Sequence, residues 1–192
     1  MRVIRWGEAK AMPWKNGGGV THEIAVFPAG ATLESFDWRL SMAEVAADGP
    51  FSAFDGIDRT LALMQGAGID LDFGDGRRMR VDGPEVPCRF DGGKPCTGYL
   101  VDGRVLDLNV MSRRGRLVHD LVPVSVAGTA LTLSAVTAVI CHTGTIVVET
   151  AAGEVLLGAK DVLLQDLAAD VRCSRTCESE AIAYVLQFRS VA

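Results

Sequence analysis

The segment Phe36-Asp37-Trp38-Arg39-Leu40-Ser41-Met42-Ala43 decides the fold class that the sequence predicts. Aromatic and aliphatic side chains alternate in it with polar or small ones, which is the period-2 pattern of a β-strand with one apolar face. The alternation places Arg39 and Ser41 together on the polar face. Residues 20–27 alternate as well, and the pattern assigns the even-numbered residues to one face and residues 21, 23 and 25 to the other.

Turn-forming residues recur about every 8–12 residues through the rest of the chain, a spacing typical of β-sandwiches and barrels. We expect hairpin turns at Asp75-Gly76 and Asp102-Gly103, because an Asp-Gly pair suits the two-residue loops of hairpins. No segment keeps the helical period over the length of a helix, so the sequence predicts an all-β protein. After residue 128 the predicted strands are short and apolar: 130–140, 144–150, 154–158, 161–165, 170–174 and 181–189.

The composition is that of a globular protein, with 48% hydrophobic and 22% charged residues among 192 and a formal net charge of −5. An acidic chain without a long basic block is not expected to bind nucleic acid. No apolar run approaches the roughly 20 residues of a transmembrane helix, and no signal peptide is evident, so we expect no membrane partner. The five cysteines form no Cys-x-x-Cys pair, and we expect free thiols and a cytoplasmic location.

The stretch from Met12 to Glu23 has the character of a binding site. Its three consecutive glycines, residues 17–19, are costly to order, so we expect a positive φ or a close approach of another group to the backbone there. A flexible turn before a strand is the alternative. Polar and aromatic side chains beside the glycines are able to converge on a small molecule. The candidate ligand-binding residues in this stretch are Trp14, Lys15, Asn16, Gly17, Gly18 and Thr21.

Several strings of the sequence together resemble the HutD/Ves family. They are Met12-Pro13-Trp14-Lys15-Asn16-Gly17-Gly18-Gly19, Trp38-Arg39-Leu40-Ser41-Met42-Ala43, Asp48-Gly49-Pro50-Phe51-Ser52 with Gly56-Ile57-Asp58-Arg59, and Asp107-Leu108-Asn109-Val110-Met111 with Arg113-Arg114. The resemblance covers the whole chain and is densest from residue 12 to residue 114. It implies a bicupin, with two small jelly-roll (double-stranded β-helix) barrels formed from one chain. Residues 1–120 would form the first barrel, with the pocket. Residues 121–192 would form a mainly structural second β unit, and the N-terminal segment could exchange between barrels.

The resemblance also implies a role. Members of the family are associated with bacterial histidine utilisation, where the protein is thought to moderate expression of the pathway by binding a small metabolite. A formylated or formimino glutamate is the favoured type of ligand, and no enzymatic activity is firmly attached to the family.

A metal site is not expected, although many cupins hold a metal with a His-x-His pair, a Glu and a later His. His22, His119 and His142 stand alone in the sequence, with no second histidine at a ligand spacing. Zinc and iron favour several His or Cys ligands. We therefore expect neither a metal nor another cofactor.

The remaining chemistry is that of an organic-anion pocket. Arg is the residue that grips a carboxylate with two parallel hydrogen bonds, and Asn donates to and accepts from an amide or formyl group. A small carboxylate metabolite with an amide-like end would suit this set. The candidates outside the glycine stretch are Arg39, Ser41, Arg59, Asn109 and Arg113.

Each of these candidates has a structural alternative. Arg59 could pair with Asp58 or Asp48 in a salt bridge of little energetic value. The pair Arg113-Arg114 could be a solvated loop, and Asp107 with Asn109 could cap a turn. By the same reasoning the residues Phe51 and Phe54 are expected in the core rather than against a ligand.

Three functions fit the sequence. The first is a metal-free small-molecule-binding protein that senses a metabolite. The second is an enzyme for a small acid, an isomerase or hydrolase with Glu23 and Asp107 as acid and base. The third is an interaction module whose apolar second half packs against a regulator or a second copy, and exposed sheet edges favour a homodimer.

Overall fold

The computed structural model describes residues 1–14, 17–127, 129–176 and 180–191 of the chain. These residues form antiparallel β-structure and one short 3-10 helix, Trp6–Glu8, which confirms the prediction of an all-β protein. Segments of period 2 that are separated by glycine turns are expected to form strands that pack as sheets. The strands are β1 (Arg2–Ile4), β2 (Lys10–Pro13), β3 (Gly19–Phe27), β4 (Trp38–Val45), β5 (Gly49–Pro50), β6 (Ile57–Gln65), β7 (Ile69–Asp72), β8 (Arg78–Val81), β9 (Cys88–Asp91), β10 (Thr97–Leu100), β11 (Val105–Arg113), β12 (Leu117–Val126), β13 (Leu131–Thr143), β14 (Thr145–Thr150), β15 (Gly153–Gly158), β16 (Val162–Arg175) and β17 (Ala181–Ser190).

The chain divides into two compact units. The larger unit is Lys10–Val118 with the residues from Ser190, and the smaller unit is Met1–Ala9 with His119–Arg189. In the larger unit a six-stranded sheet has the order β2-β3-β4-β11-β6-β9, and a four-stranded sheet has the order β5-β10-β7-β8. In the smaller unit the sheet order is β12-β17-β13-β16-β14-β15, and β1 pairs with β16.

Each unit buries its own apolar core. Leu61 and Leu63 of the six-stranded sheet pack with Ile69 and Leu71 of the four-stranded sheet, and all four are buried. Removal of such side chains from water is the main favourable term in folding. The corresponding cluster of the smaller unit includes Val136, Val139, Ile146, Val148, Leu157, Leu163 and Val171. Among the described residues no helix is long and apolar enough to cross a membrane.

The hairpin predicted at Asp75-Gly76 is confirmed, but the one predicted at Asp102-Gly103 is wrong. Strands β7 and β8 pair directly, with Asp72 opposite Arg78. Strand β10, by contrast, pairs with β5 and β7, while the next strand, β11, pairs with β4 and β6. The turn at residues 102–103 therefore carries the chain from one sheet to the other, and turn chemistry alone does not distinguish the two uses.

Two predicted strand patterns also need correction. The register between β3 and β4 shifts between Glu23 and Ala25, so that Ala25 lies opposite Leu40 and Val26 lies opposite Arg39. A bulge of this kind moves every following side chain to the other face, so the predicted faces of Ala25 and Val26 are wrong. The segments predicted at 161–165 and 170–174 form the single strand β16, because the polar, exposed residues between them continue the extended chain.

Candidate functional site

A cavity of about 540 Å³ opens over one face of the six-stranded sheet in the larger unit. Its polar lining comes from Thr21, Arg39, Ser41, Ser52, Arg59 and Asn109. Its apolar lining comes from Met12, Pro13, Trp14, Leu33, Ala43, Pro50, Phe51, Phe54 and Met111. A concave, mostly apolar site with a few convergent polar groups is the usual form of a small-molecule pocket.

The register of three adjacent strands gathers the polar lining residues on one face. Met111 of β11 lies opposite Arg39 of β4 on one side and Arg59 of β6 on the other. Two residues earlier, Asn109 lies opposite Ser41. Residues directly opposite each other in a ladder share a face of the sheet, so the period-2 alternation seen in the sequence is what brings these groups together.

Arg59 is the most distinctive group of the pocket. It is only 4% exposed, and its Nε donates to Oδ1 of Asn109 at 2.7 Å. Its guanidinium lies over the rings of Phe51 and Phe90, with 4.7 and 5.4 Å to the ring centroids. Within the described chain its two Nη atoms make no hydrogen bond, so the forked end of the guanidinium is available to a ligand in the cavity.

The charge of Arg59 is balanced only in part. Burial lowers the pKa of Arg59, and the nearby carboxyl of Asp107 opposes that effect. An arginine nevertheless stays protonated in proteins, so a buried positive charge faces the cavity. The predicted alternative of a salt bridge from Arg59 is wrong. Asp58 pairs with Arg89 and Arg114 instead, and Asp48 accepts a hydrogen bond from the backbone N–H of residue 100.

Arg39 differs from Arg59 because it already has a carboxylate partner. It is 5% exposed, its Nε donates to Oε2 of Glu23 at 2.9 Å, and its Nη1 lies 3.4 Å from Oγ of Ser41. Glu23 is half-buried at the edge of the same face. The pair therefore fixes the guanidinium of Arg39 in the pocket wall.

Asp107 lies on β11, two residues before Asn109, and is fully buried. Oδ1 of Asp107 accepts a hydrogen bond from Nδ2 of Asn109, while Oδ2 has no hydrogen-bond partner among the described residues. Burial raises the pKa of Asp107 to about 7, against the opposing effects of Arg59, the backbone N–H of Ala43 and the amide of Asn109. Both residues lie inside β11, so the predicted alternative of a turn cap is wrong.

Asn109 links the cation and the carboxyl. Its Oδ1 accepts from Arg59 and its Nδ2 donates to Asp107, so each partner fixes the orientation of the amide. These two hydrogen bonds hold the amide in one orientation, because its rotation would leave buried polar groups unpaired at a cost of about 1–3 kcal/mol. Because Asn109 accepts the hydrogen bond from Nε, it orients the guanidinium of Arg59 with its two Nη atoms toward the cavity.

The glycine run serves both expected purposes. Gly17 has a φ of +72°, and a Cβ on Gly19 would lie 2.3 Å from the backbone oxygen of Glu44. The same Cβ would lie 3.1 Å from the ring of Trp14, whose Nε1 donates to Oγ1 of Thr21 at 2.8 Å. The close approach at Gly19 thus lets Trp14 form part of the pocket wall.

The structure brings together some of the candidate residues and not others. Trp14, Thr21, Arg39, Ser41, Arg59 and Asn109 line the cavity. Gly17 and Gly18 do not line it, although Gly18 borders a small neighbouring depression. Lys15 and Asn16 lie outside the described residues. Arg113 is also absent from the lining, because its Nε and Nη2 donate to the backbone oxygens of Phe36 and Glu34.

Sequence reasoning missed most of the apolar wall. Phe51 and Phe54 pack against buried core clusters, as expected, but they also line the cavity together with Pro50 and Ser52. Residues 51–54 lie in an irregular segment, where no hydrophobic period exists to assign a side chain to a face. Met111 could have been found, since it lies two residues beyond Asn109 on the same strand. Among the described residues no three His, Cys, Asp or Glu side chains are grouped so as to hold a metal ion.

The raised pKa of Asp107 predicts a pH dependence of stability. The unfolded state loses this proton near pH 4, whereas the folded state keeps it up to about pH 7. The folded state binds more protons in this window, so the stability contribution of Asp107 is present below pH 4 and is lost as the pH rises to 7. We expect the wild type to lose up to about 1.4 kcal/mol per pH unit relative to Asp107→Asn in this range.

Urea unfolding of the wild type and Asp107→Asn at pH 4.5, 5.5, 6.5 and 8 measures this difference. Other titrating groups are common to both proteins and cancel in the comparison. A difference in the free energy of unfolding that stays constant over the series would contradict the raised pKa.

The fold and the site place the chain in a class. Oxalate decarboxylase of Lactobacillus farciminis, a cupin-fold protein, superposes with a TM-score of 0.67 at 10% identity, covering 98% of this chain and 88% of that one. Similarity at that level of identity shows the fold alone. The class is therefore a cupin-like all-β protein with a pocket lined by buried arginines.

The chain belongs to the HutD family, whose model matches residues 7–183. It is 36% identical over 111 residues to an uncharacterized 21.2 kDa protein in the hutC 3' region of Pseudomonas putida, covering 58% of this chain and 57% of that protein. HutD of Pseudomonas fluorescens SBW25 superposes with a TM-score of 0.77 at 30% identity. A conserved protein of unknown function from Pseudomonas aeruginosa PAO1 superposes with a TM-score of 0.86 at 27% identity. Each of these two similarities covers 98% of both chains.

Proposed function

We propose that this protein is a metal-free binding protein for a small carboxylate of the formylglutamate type, through which it modulates histidine utilisation. One observation carries the proposal: the guanidinium of Arg59 is buried, and its forked end meets the cavity without a protein partner among the described residues. A buried charge is costly unless it is paired. A ligand carboxylate is the natural partner, because it accepts both Nη hydrogen bonds at once.

The charge balance of the pocket supports an anionic ligand. Arg39 and Arg59 contribute two positive charges to one sheet face, and Glu23 neutralises the first. Asp107 neutralises the second only while it is ionised, and burial opposes its ionisation. The pocket therefore carries an excess of positive charge, which would attract anions and concentrate them at the site.

The rest of the lining suits an acid with an uncharged polar end. The hydroxyls of Thr21, Ser41 and Ser52 are spread around the cavity and could donate to or accept from a formyl or imino group. Trp14 and Phe51 offer flat apolar surfaces to the carbon chain of the ligand. A formylated or formimino glutamate combines these features.

The relatives supply the physiological context of the proposal. One is encoded in the hutC 3' region of Pseudomonas putida, and HutD of Pseudomonas fluorescens has been solved in a formate condition. The curated Pseudomonas relative is covered over only 57% of its length, so a role in histidine utilisation is carried over as a proposal. Formate is the simplest carboxylate that such a pocket could hold.

An enzyme acting on the same acid is the second candidate. A carboxyl with a pKa near 7 suits proton transfer at neutral pH, and Asp107 has such a pKa. Asp107 is not among the cavity-lining residues, however, and Glu23 is engaged by Arg39. These contacts favour binding over turnover.

Association into a homodimer stays a prediction.

Thermal unfolding with a panel of acids tests the proposal. Formylglutamate, formiminoglutamate, urocanate and glutamate are each added to the wild type, and a ligand at a hundred times its Kd should stabilise the folded state by about 2.7 kcal/mol. A rise in Tm with at least one acid is expected. No shift with any of them at millimolar concentration would contradict the proposal.

A time course by NMR separates the two candidates. Each acid is incubated with the protein, and its proton spectrum is followed for several hours. Unchanged spectra in the presence of a Tm shift are expected for a binding protein, whereas the appearance of a product would establish the enzyme instead.

A further inference from the structure

A buried carboxyl that does not line the cavity lies next to the pocket residue Asn109, and the proposed function does not use it directly. Asp107 is fully buried, Asn109 joins it to the ligand-binding arginine, and its Oδ2 has no hydrogen-bond partner in the described part of the chain. An ionised carboxylate in this position is expensive, because no donor satisfies one of its oxygens. Protonation of Oδ2 would therefore remove the cost of burying an ionised carboxylate at this position.

We propose that binding of a carboxylate at Arg59 draws one proton from solvent onto Asp107, with Asn109 as the group that couples the two. The coupling rests on the proposed function, since it needs an anion at Arg59. The step is a proton transfer only: a water or buffer acid gives up the proton, and an O–H bond forms on Asp107.

The physical reason is competition for one buried cation. In the free protein the charge of Arg59 stabilises the carboxylate of Asp107. A ligand carboxylate at the Nη atoms adds a second negative charge beside the same guanidinium, in a site with little water to screen the repulsion. Protonation of Asp107 removes one of the two negative charges, so that the charge of Arg59 is balanced by the ligand carboxylate alone.

Other charged groups around Asp107 are not expected to replace it in this role. From β4, Arg39 faces the same pocket and stays protonated, and it holds Glu23 of β3 in an ion pair. Strand β6 contributes only the charge of Arg59 to this face. Its residue directly opposite Asp107 is the apolar Leu63. Cys96 lies near Arg59, but burial raises its pKa to about 11, above the working range.

Binding and proton affinity are linked reciprocally, so the coupling can be measured from either side. Formylglutamate is the probe, because both its carboxylates stay ionised above pH 6 and its formyl nitrogen does not titrate. Calorimetric titrations are run at pH 6.5, 7.5 and 8.5 in phosphate and in Tris, whose ionisation enthalpies differ. The buffer dependence of the observed enthalpy gives the number of protons taken up.

We expect a measurable uptake of up to one proton in the wild type, with a Kd that rises up to about tenfold per pH unit above pH 7. In Asp107→Asn we expect no proton uptake and a Kd that does not change with pH. The matched control is Asp70→Asn, whose exposed carboxylate pairs with Arg80 in the same unit and should leave the wild-type coupling intact.

The carboxyl carbon of Asp107, followed by NMR in the wild type, gives a readout that does not depend on the variant's folding. Its titration midpoint should move to higher pH when formylglutamate is added, and an unmoved midpoint would overturn the coupling. Binding with no proton uptake would also overturn it while leaving the proposed function intact. Coupling retained in Asp107→Asn would rule out this residue. Absence of binding at every pH would overturn both proposals.

Discussion

Replacement of Arg59 by methionine is expected to raise the Kd for formylglutamate by at least a factor of about 100, because each charge-assisted hydrogen bond contributes about 1.5–3 kcal/mol and two are lost. Methionine keeps an unbranched apolar stem that can still pack between Phe51 and Phe90. Asp107, deprived of its cation, would take up a proton and avoid a buried unpaired charge. The variant should therefore fold.

The control for this experiment is Arg80→Met. Arg80 is exposed and pairs with Asp70 on the four-stranded sheet of the same unit, so its removal changes the net charge by the same amount without touching the pocket. Its Kd should match that of the wild type within a factor of about two, because a screened surface charge contributes little. Similar affinities for Arg59→Met and Arg80→Met would show that Arg59 does not hold the ligand.

Gly19→Ala is expected to produce the largest loss of stability among single-methyl substitutions near the pocket. Its Cβ would lie 2.3 Å from the backbone oxygen of Glu44, which belongs to the paired strand β4 and cannot turn aside as a side chain could. Overpacking of this kind costs about 1–3 kcal/mol and occasionally more. We expect a decrease of about 3 kcal/mol in the free energy of unfolding, with a fall in Tm of about 6–12 °C.

Two other glycines serve as controls for Gly19. Gly49→Ala adds a methyl group where nothing lies within 4 Å, and it should change the free energy of unfolding by less than about 0.5 kcal/mol. Gly17→Ala also meets no neighbour, but its φ of +72° should cost about 1–2 kcal/mol. Urea denaturation of the three variants gives the ranking directly. A Gly19→Ala protein as stable as Gly49→Ala would contradict the close approach to Glu44.

Much of the larger unit could be predicted from the sequence because its strands follow a simple period. Alternation in residues 36–43 correctly placed Arg39 and Ser41 on one face, and that face lines the cavity. Asn109 is a candidate because its amide donates and accepts hydrogen bonds, and the ladder sets it beside Ser41. The triple glycine indicated a site because a chain seldom keeps such a run without a backbone reason.

The parts that could not be predicted depend on long-range pairing. The bulge after Glu23 exchanges the faces of Ala25 and Val26, and nothing in the hydrophobic pattern marks an extra residue in one strand. The turn at residues 102–103 has hairpin chemistry but joins different sheets. Phe51 and Phe54 lie in an irregular segment, so their contribution to the pocket wall follows only from the tertiary structure.

A single calorimetric comparison tests the claim that a buried arginine of this protein binds a small carboxylate. The wild type is titrated at pH 6.5 with formylglutamate and, separately, with its diamide, which has nearly the same shape but no carboxylate. We expect saturable one-to-one binding of the acid and an affinity for the diamide that is lower by a factor of at least about 100, as for the loss of two charge-assisted hydrogen bonds. Equal affinity for both compounds, or binding of neither, would contradict the claim.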